Sequence, residues 1–292
     1  MKTTLFSFAL LLMINTFQAQ KIEHYDSFDV SIQGSGETLF LIPGLSCSSN
    51  VWNETINEYK NQYKIHAFTL AGYSGTKPIT EDSILPIIQK DLIQYINKHK
   101  SENSILIGHS IGGFISLLLA IEDETIVSKL IIVDALPFLA GANNPNITEE
   151  IIKSSYSSMK DTYIHLTDEA LQQNLKATLN SMIRDKSKLN GVLKDAIKSD
   201  RRTLGVTMFE LMSNDLRAPI ASIKIPTLIL TNWNEPIAQM PSLTKKSKLS
   251  IYKQQYQNCS NCTVELIEKA EHFIMLDNPT AFNESVKSFI NK

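Results

Sequence analysis

The chain has 292 residues, a formal net charge of −2 and 43% hydrophobic residues, enough to fill one large core or one core with an appended cap. Near-neutral charge without a basic run argues against a nucleic-acid partner or a polybasic grip on membranes. No Gly-rich phosphate loop follows the first strand and no His-Glu-x-x-His run occurs, so neither a cofactor nor a metal is expected.

The opening residues differ from the rest. Met1-Lys2 is weakly positive, Leu5 to Ile14 is almost purely apolar, and Ala19-Gln20 follows a polar step. This is the pattern of a secretory signal peptide over residues 1–19, too short to span a bilayer permanently. The expected mature chain, residues 20–292, is therefore exported to a periplasm or secreted, with no stable membrane span.

Beyond it, Ser27 to Gln33 alternates, with Phe28, Val30 and Ile32 on one face, and predicts an early strand. Gly34-Ser35-Gly36 makes a turn, and Thr38 to Ile42 is a continuous apolar run ending at Pro43-Gly44, as a buried central strand should. Trp52, Ile56 and Tyr59 have helical spacing. Tyr63 to Leu70 predicts a strand closing at Ala71-Gly72-Tyr73-Ser74-Gly75, and Ile84, Ile88, Leu92, Tyr95 and Ile96 mark a long amphipathic helix. Next comes Ile105 to Ile107, an apolar run that breaks at Gly108-His109-Ser110-Ile111-Gly112 before a helical pattern resumes at Phe114. That is a G-x-S-x-G match in the strand–turn–helix context that gives it meaning. Glycines on both sides allow a turn sharp enough to lift Ser110 clear of the sheet, towards the free N–H groups of the following helix. Ser110 is the best nucleophile candidate in the chain.

Lys129 to Val133 predicts another strand, ending at Asp134. From about 137 to 222 only helical patterns occur, a stretch too long for a loop, which predicts a helical cap. Ile225 to Thr231 and Thr263 to Ile267 supply the last strands, and Phe282, Val286, Phe289 and Ile290 mark a closing amphipathic helix. Strands alternating with helices imply an α/β fold: a mostly parallel central sheet, helices on both faces, and active groups on loops at the strands' C-terminal ends. Of the six histidines, His272 alone sits in a short loop after a late strand. His109 lies inside the elbow, where it is expected to point elsewhere. Cys259 and Cys262 are spaced either for a local disulfide, leaving Cys47 free, or as two thiols.

On Pro43-Gly44-Leu45, Gly72-Tyr73-Ser74-Gly75, the Gly108–Gly112 elbow and His272, the chain resembles the α/β-hydrolase superfamily, specifically its lipase- and esterase-like branch with one helical cap. The resemblance covers nearly all of the mature chain. It implies that Ser110 attacks a carbonyl, that His272 takes its proton, and that the backbone N–H groups of Leu45 and Ile111 form the oxyanion hole. Pro43 stands where this loop usually has a histidine. The family places an aspartate after the strand Thr227–Leu230, yet Thr231-Asn232-Trp233-Asn234-Glu235-Pro236-Ile237 has none. Glu235 before Pro236 is the nearest match for the triad acid. Asp134, at the end of the preceding strand, is its rival. The implied activity is hydrolysis of a carboxylic ester or related acyl bond in a small-molecule substrate; the elbow serine argues against the branches that carry an aspartate there. The alternative is a catalytically silent member binding a small apolar ligand under the cap. Nothing in the sequence bears on oligomeric state.

Overall fold

An eight-stranded sheet in the order β1-β2-β4-β3-β5-β6-β7-β8 organises the fold. The computed structural model describes residues 21–142, 144, 146–235 and 244–292; the expected signal peptide, residues 1–19, lies outside them, as does Pro236. β1 (Lys21–His24) and β2 (Phe28–Gln33) pair antiparallel, and β2 pairs antiparallel with β4 (Tyr63–Leu70). From β4 onwards every pairing is parallel, through β3 (Glu37–Ile42), β5 (Ile105–His109), β6 (Lys129–Val133), β7 (Thr227–Trp233) and β8 (Cys262–Glu268). The continuous apolar runs are the interior strands: β5 and β7 are buried at every residue. β8 alternates exposed with buried or half-buried positions, as an edge strand facing water should. β1 has no apolar alternation and is mostly exposed, which is why no period announces it.

Helices cover both faces. On one, α1 (Asn53–Tyr59) packs with α9 (Ile274–Asp277) and α10 (Pro279–Ile290); elsewhere α2 (Leu85–His99) packs against α3 (Ile111–Glu122). The chain passes from β3 to β4 on one side and then to β5 on the other. This is the reversal of strand order at which open parallel sheets open a crevice beyond their C-terminal ends.

Between β6 and β7 lies a helical insert of α4 (Glu149–Ser155), α5 (Asp168–Met182), α6 (Lys186–Ala196) and α7 (Arg201–Ser213). Each has a side-chain N-cap: Thr148, Thr167, Asp185 and Asp200 accept from backbone amides of their first turns. α5 buries Leu171, Leu175 and Leu179, one stripe at a spacing of four. The insert is tied to the sheet domain by polar contacts as well. Tyr73 Oη lies 2.8 Å from Thr207 Oγ1, and the Asp200 amide donates to the Gly72 carbonyl at 2.7 Å. The Glu210 carboxylate accepts from Ser83 Oγ and from the amides of Ile84 and Leu85, at 2.6, 3.0 and 2.9 Å. α8 (Lys245–Gln255) is a further helix, before β8, that sequence periodicity does not predict. Its start is polar and only Tyr252 and Gln255 are buried, so it carries no apolar stripe.

Candidate active site

The elbow forms because two positions admit no side chain. A Cβ on Gly108 would fall on the Gly112 carbonyl and the Ser116 hydroxyl; one on Gly112 would fall on the carbonyls of Ile42 and Pro43. β5, the start of α3 and the end of β3 therefore meet at backbone contact. Ser110 sits at the apex with φ 54° and ψ −123°, a region that L-residues rarely enter. Its amide is held by the Val133 carbonyl at 2.9 Å, while its hydroxyl makes no hydrogen bond among the described residues. Ile111 opens α3, so its N–H has no acceptor within the helix. The Pro43–Leu45 loop runs alongside: a Cβ on Gly44 would come within 3.2 Å of Ser110 Cβ and 2.8 Å of His109 Nδ1.

His272, after β8, brings its Nδ1 to 2.6 Å from Asp134 Oδ2. Asp134, one residue past β6 at φ 46°, has a side chain only 8% exposed yet well supplied with donors. Tyr252 Oη donates to its Oδ1 at 2.6 Å and Thr231 Oγ1 at 3.3 Å. Burial by itself would raise the carboxyl's pKa. The bond from His272, the charge of Lys248 and the Tyr252 hydroxyl outweigh it and hold the group well below the ordinary carboxylate range. An ionised carboxylate only accepts, so His272 carries its proton on Nδ1 and leaves Nε2 as the ring's acceptor. Glu235, by contrast, is exposed and makes no hydrogen bond or ion pair among the described residues. Of the two candidate acids, the fold brings Asp134 to His272 and leaves Glu235 in solvent.

His109 does not point away from this group. It is fully buried, with its ring centroid 4.6 Å from that of His272, and its Nε2 donates to the His272 carbonyl at 3.0 Å. Burial, then the neighbouring His272, pushes its pKa down to about 3, so the ring is neutral. Sequence reasoning missed it because the side chain of an elbow's second residue can be placed only once the His loop is placed. It missed Tyr252 for want of any signal in α8.

Ser110, Asp134, His272 and Leu45 line one cavity of about 290 Å³. Its far wall comes from the insert, with Leu175, Leu179, Met182, Met208 and Leu211, and among the described residues no lysine, arginine or glutamate lines it. A wider cleft of about 620 Å³, lined by residues of α1 and α6, contains neither Ser110 nor His272. No group of three or more His, Cys, Asp or Glu residues among those described is arranged to hold a metal. Cys259 and Cys262 form a disulfide, and Cys47 is free and buried.

A mostly parallel sheet with a serine at a strand–helix elbow, and an aspartate beyond β6 paired with a histidine beyond β8, defines a hydrolase architecture. The sequence model of the alpha/beta hydrolase fold matches residues 37–279, and the chain belongs to that family. Among curated relatives it is similar to pimeloyl-[acyl-carrier protein] methyl ester esterases. It is 24% identical over 259 residues to that of Pectobacterium carotovorum subsp. carotovorum (strain PC1), covering 88% of this chain and 96% of the relative. It is 28% identical over 266 residues to that of Wigglesworthia glossinidia brevipalpis, covering 89% and 96%. Among solved structures, a hydrolase from Pseudomonas aeruginosa PA01 superposes with a TM-score of 0.73 at 13% identity, over 94% of this chain and all of the other. The enol-lactonase of Burkholderia xenovorans LB400 gives 0.71 at 13% identity, over 91% and 96%. At these identities the structural likeness shows the fold alone.

Proposed function

We propose that the protein hydrolyses carboxylic esters of small, uncharged acyl substrates, with Ser110 as nucleophile, His272 as general base and Asp134 as the triad acid. The contact that carries this reading is the 2.6 Å bond between His272 Nδ1 and Asp134 Oδ2, made at the cavity that Ser110 also lines. Ser110 Oγ attacks the ester carbonyl carbon while its proton passes to His272 Nε2. The carbonyl oxygen becomes negative and accepts from the N–H groups of Leu45 and Ile111. As the tetrahedral adduct collapses, the C–O bond to the alcohol breaks and the imidazolium returns the proton to the leaving oxygen. Water then repeats the attack on the acyl-enzyme with the same proton carrier, releasing the acid and restoring Ser110. Asp134 stays ionised throughout, holding the ring in one tautomer and stabilising the imidazolium.

The substrate class follows from the wall. A cavity of about 290 Å³ lined by leucines and methionines favours a neutral chain of a few carbons. A charged end would be desolvated there without a partner. The relatives named above share ester hydrolysis with this reading; their acyl-carrier substrate is not carried over. The insert, residues 137–222, acts as the cap that closes the cavity. We propose export as well, on the signal-like residues 1–19 and on a Cys259–Cys262 disulfide that suits an oxidising compartment. The ligand-binding alternative rests on the open choice of acid and on Pro43 in place of the loop histidine; the His272–Asp134 bond supports the enzyme reading over it.

The test is labelling with a fluorophosphonate probe beside turnover of p-nitrophenyl butyrate. Labelling and turnover are expected in the wild type and absent in Ser110→Ala. Folded wild-type protein that does neither would remove the hydrolase reading.

A further inference from the structure

The carboxylate of Asp277, at the end of α9, has no part in the chemistry above, yet it gathers three backbone amides from two separate places. Its Oδ1 accepts from Arg184 and Asp185 N–H, both at 2.9 Å, and its Oδ2 from Glu271 N–H at 2.8 Å. Arg184 and Asp185 belong to the junction between α5 and α6 in the insert; Glu271 precedes His272. On the other side of His272, the Phe273 amide donates to the Met182 carbonyl at 3.3 Å, and Met182 lines the cavity. The histidine is thus bracketed: the residue before it and the residue after it are both fastened to residues 182–185.

We propose that Asp277 is a positioning residue that fixes the His272 loop against the insert, so that the base is aligned with Ser110 only when the α5–α6 junction is seated. This rests on the reading of His272 as general base. A carboxylate is suited to the task because it has acceptor sites for every one of these donors and no proton to compete for them. An amide in its place offers a single oxygen and must turn N–H groups towards an N–H donor. The His272 ring would keep Asp134 but lose the backbone frame that aims it, and small misplacements of a catalytic group are costly in rate.

The experiment compares Asp277→Asn with Glu210→Gln. Glu210 makes the same kind of tie, one carboxylate on the amides of Ile84 and Leu85 and the Ser83 hydroxyl, between insert and α2 rather than insert and His loop. Asp277→Asn is expected to lower kcat for p-nitrophenyl butyrate about tenfold or more with KM nearly unchanged, and to slow fluorophosphonate labelling of Ser110 in parallel. Glu210→Gln is expected to lower Tm and leave kcat per folded molecule near the wild-type value. If both variants lose Tm alone and keep kcat, Asp277 is a structural tie and the inference is overturned while the esterase reading stands. A wild type that neither labels nor turns over ester would remove that reading and this inference with it. Should Asp277→Asn fail to accumulate folded, Asp277→Glu carries the same test, since it keeps the charge and acceptors but displaces them by a methylene.

Discussion

At the scale of single residues, the identity of the triad acid makes the sharpest prediction. Asp134→Asn leaves the shape of the site but can present an N–H to His272 Nδ1, favouring the wrong tautomer. We expect kcat for p-nitrophenyl butyrate to fall by about 10³- to 10⁴-fold. Glu235→Gln, at an exposed position with no partner among the described residues, is expected to stay within twofold or so of wild type, as surface changes generally do. Equal losses in the two variants would argue that neither is the acid. The sequence made Ser110 legible because its whole signal is local: two glycines, an apolar strand before, an apolar helix after. His272 was legible by its place after the last strand. The choice between Asp134 and Glu235 was not, because both follow strands and the contact on which the proposal of Asp134 rests joins residues 138 apart in sequence. The Tyr252 and Thr231 hydroxyls that help hold Asp134 come from α8 and β7, and only folding assembles them.

At the scale of elements, the strand–elbow–helix unit is set by close approach rather than by apolar burial alone. Gly112→Ala would drive a methyl group into the carbonyls of Ile42 and Pro43, and α3 must retreat from β3 to accept it. The expected destabilisation is of order 1–3 kcal/mol, with ester turnover reduced more than stability, because Ile111 and the Leu45 loop separate as the helix moves. A Tm and kcat both unchanged would show that the junction has slack. Elements with a strong period were readable from the sequence: the interior strands, α2, α3 and α10. β1 and α8 were not, since one is a polar edge strand and the other buries only Tyr252 and Gln255. The stripe of α5 was readable as helix, but not as cavity wall: a leucine that faces the core and one that faces a substrate look alike until the opposite wall is known.

For the whole molecule, acid stability follows from buried groups that keep unusual protonation states. Burial, with lesser contributions from Lys64 beside His66 and from His272 beside His109, pushes both rings down to about 3, whereas in the unfolded chain they take up protons near 6.5. Between those limits the unfolded state binds more protons, so stability rises with pH. The contribution is complete above about 6.5 and is lost as pH falls towards 3, at up to about 3 kcal/mol per pH unit for the pair. Asp134, held below the carboxylate range, adds a loss of the same sign once pH drops below about 4. Melting curves should therefore show Tm level from pH 8 to 7, falling through pH 6 and 5, and falling faster below 4. A Tm at pH 5 equal to that at pH 7.5 would contradict the burial of two neutral imidazoles.

The backbone of Ser110 sets folding against use. A non-glycine residue held at φ 54° and ψ −123° carries a standing strain of about 1–3 kcal/mol. Glycine would relieve it, offset by the extra freedom that glycine has in the unfolded chain, about 0.5–1 kcal/mol. Ser110→Gly should then melt at or above the wild-type temperature while losing all turnover. Selection for durability alone would replace the serine, and a chain that keeps it at the apex has been shaped by a demand other than folding.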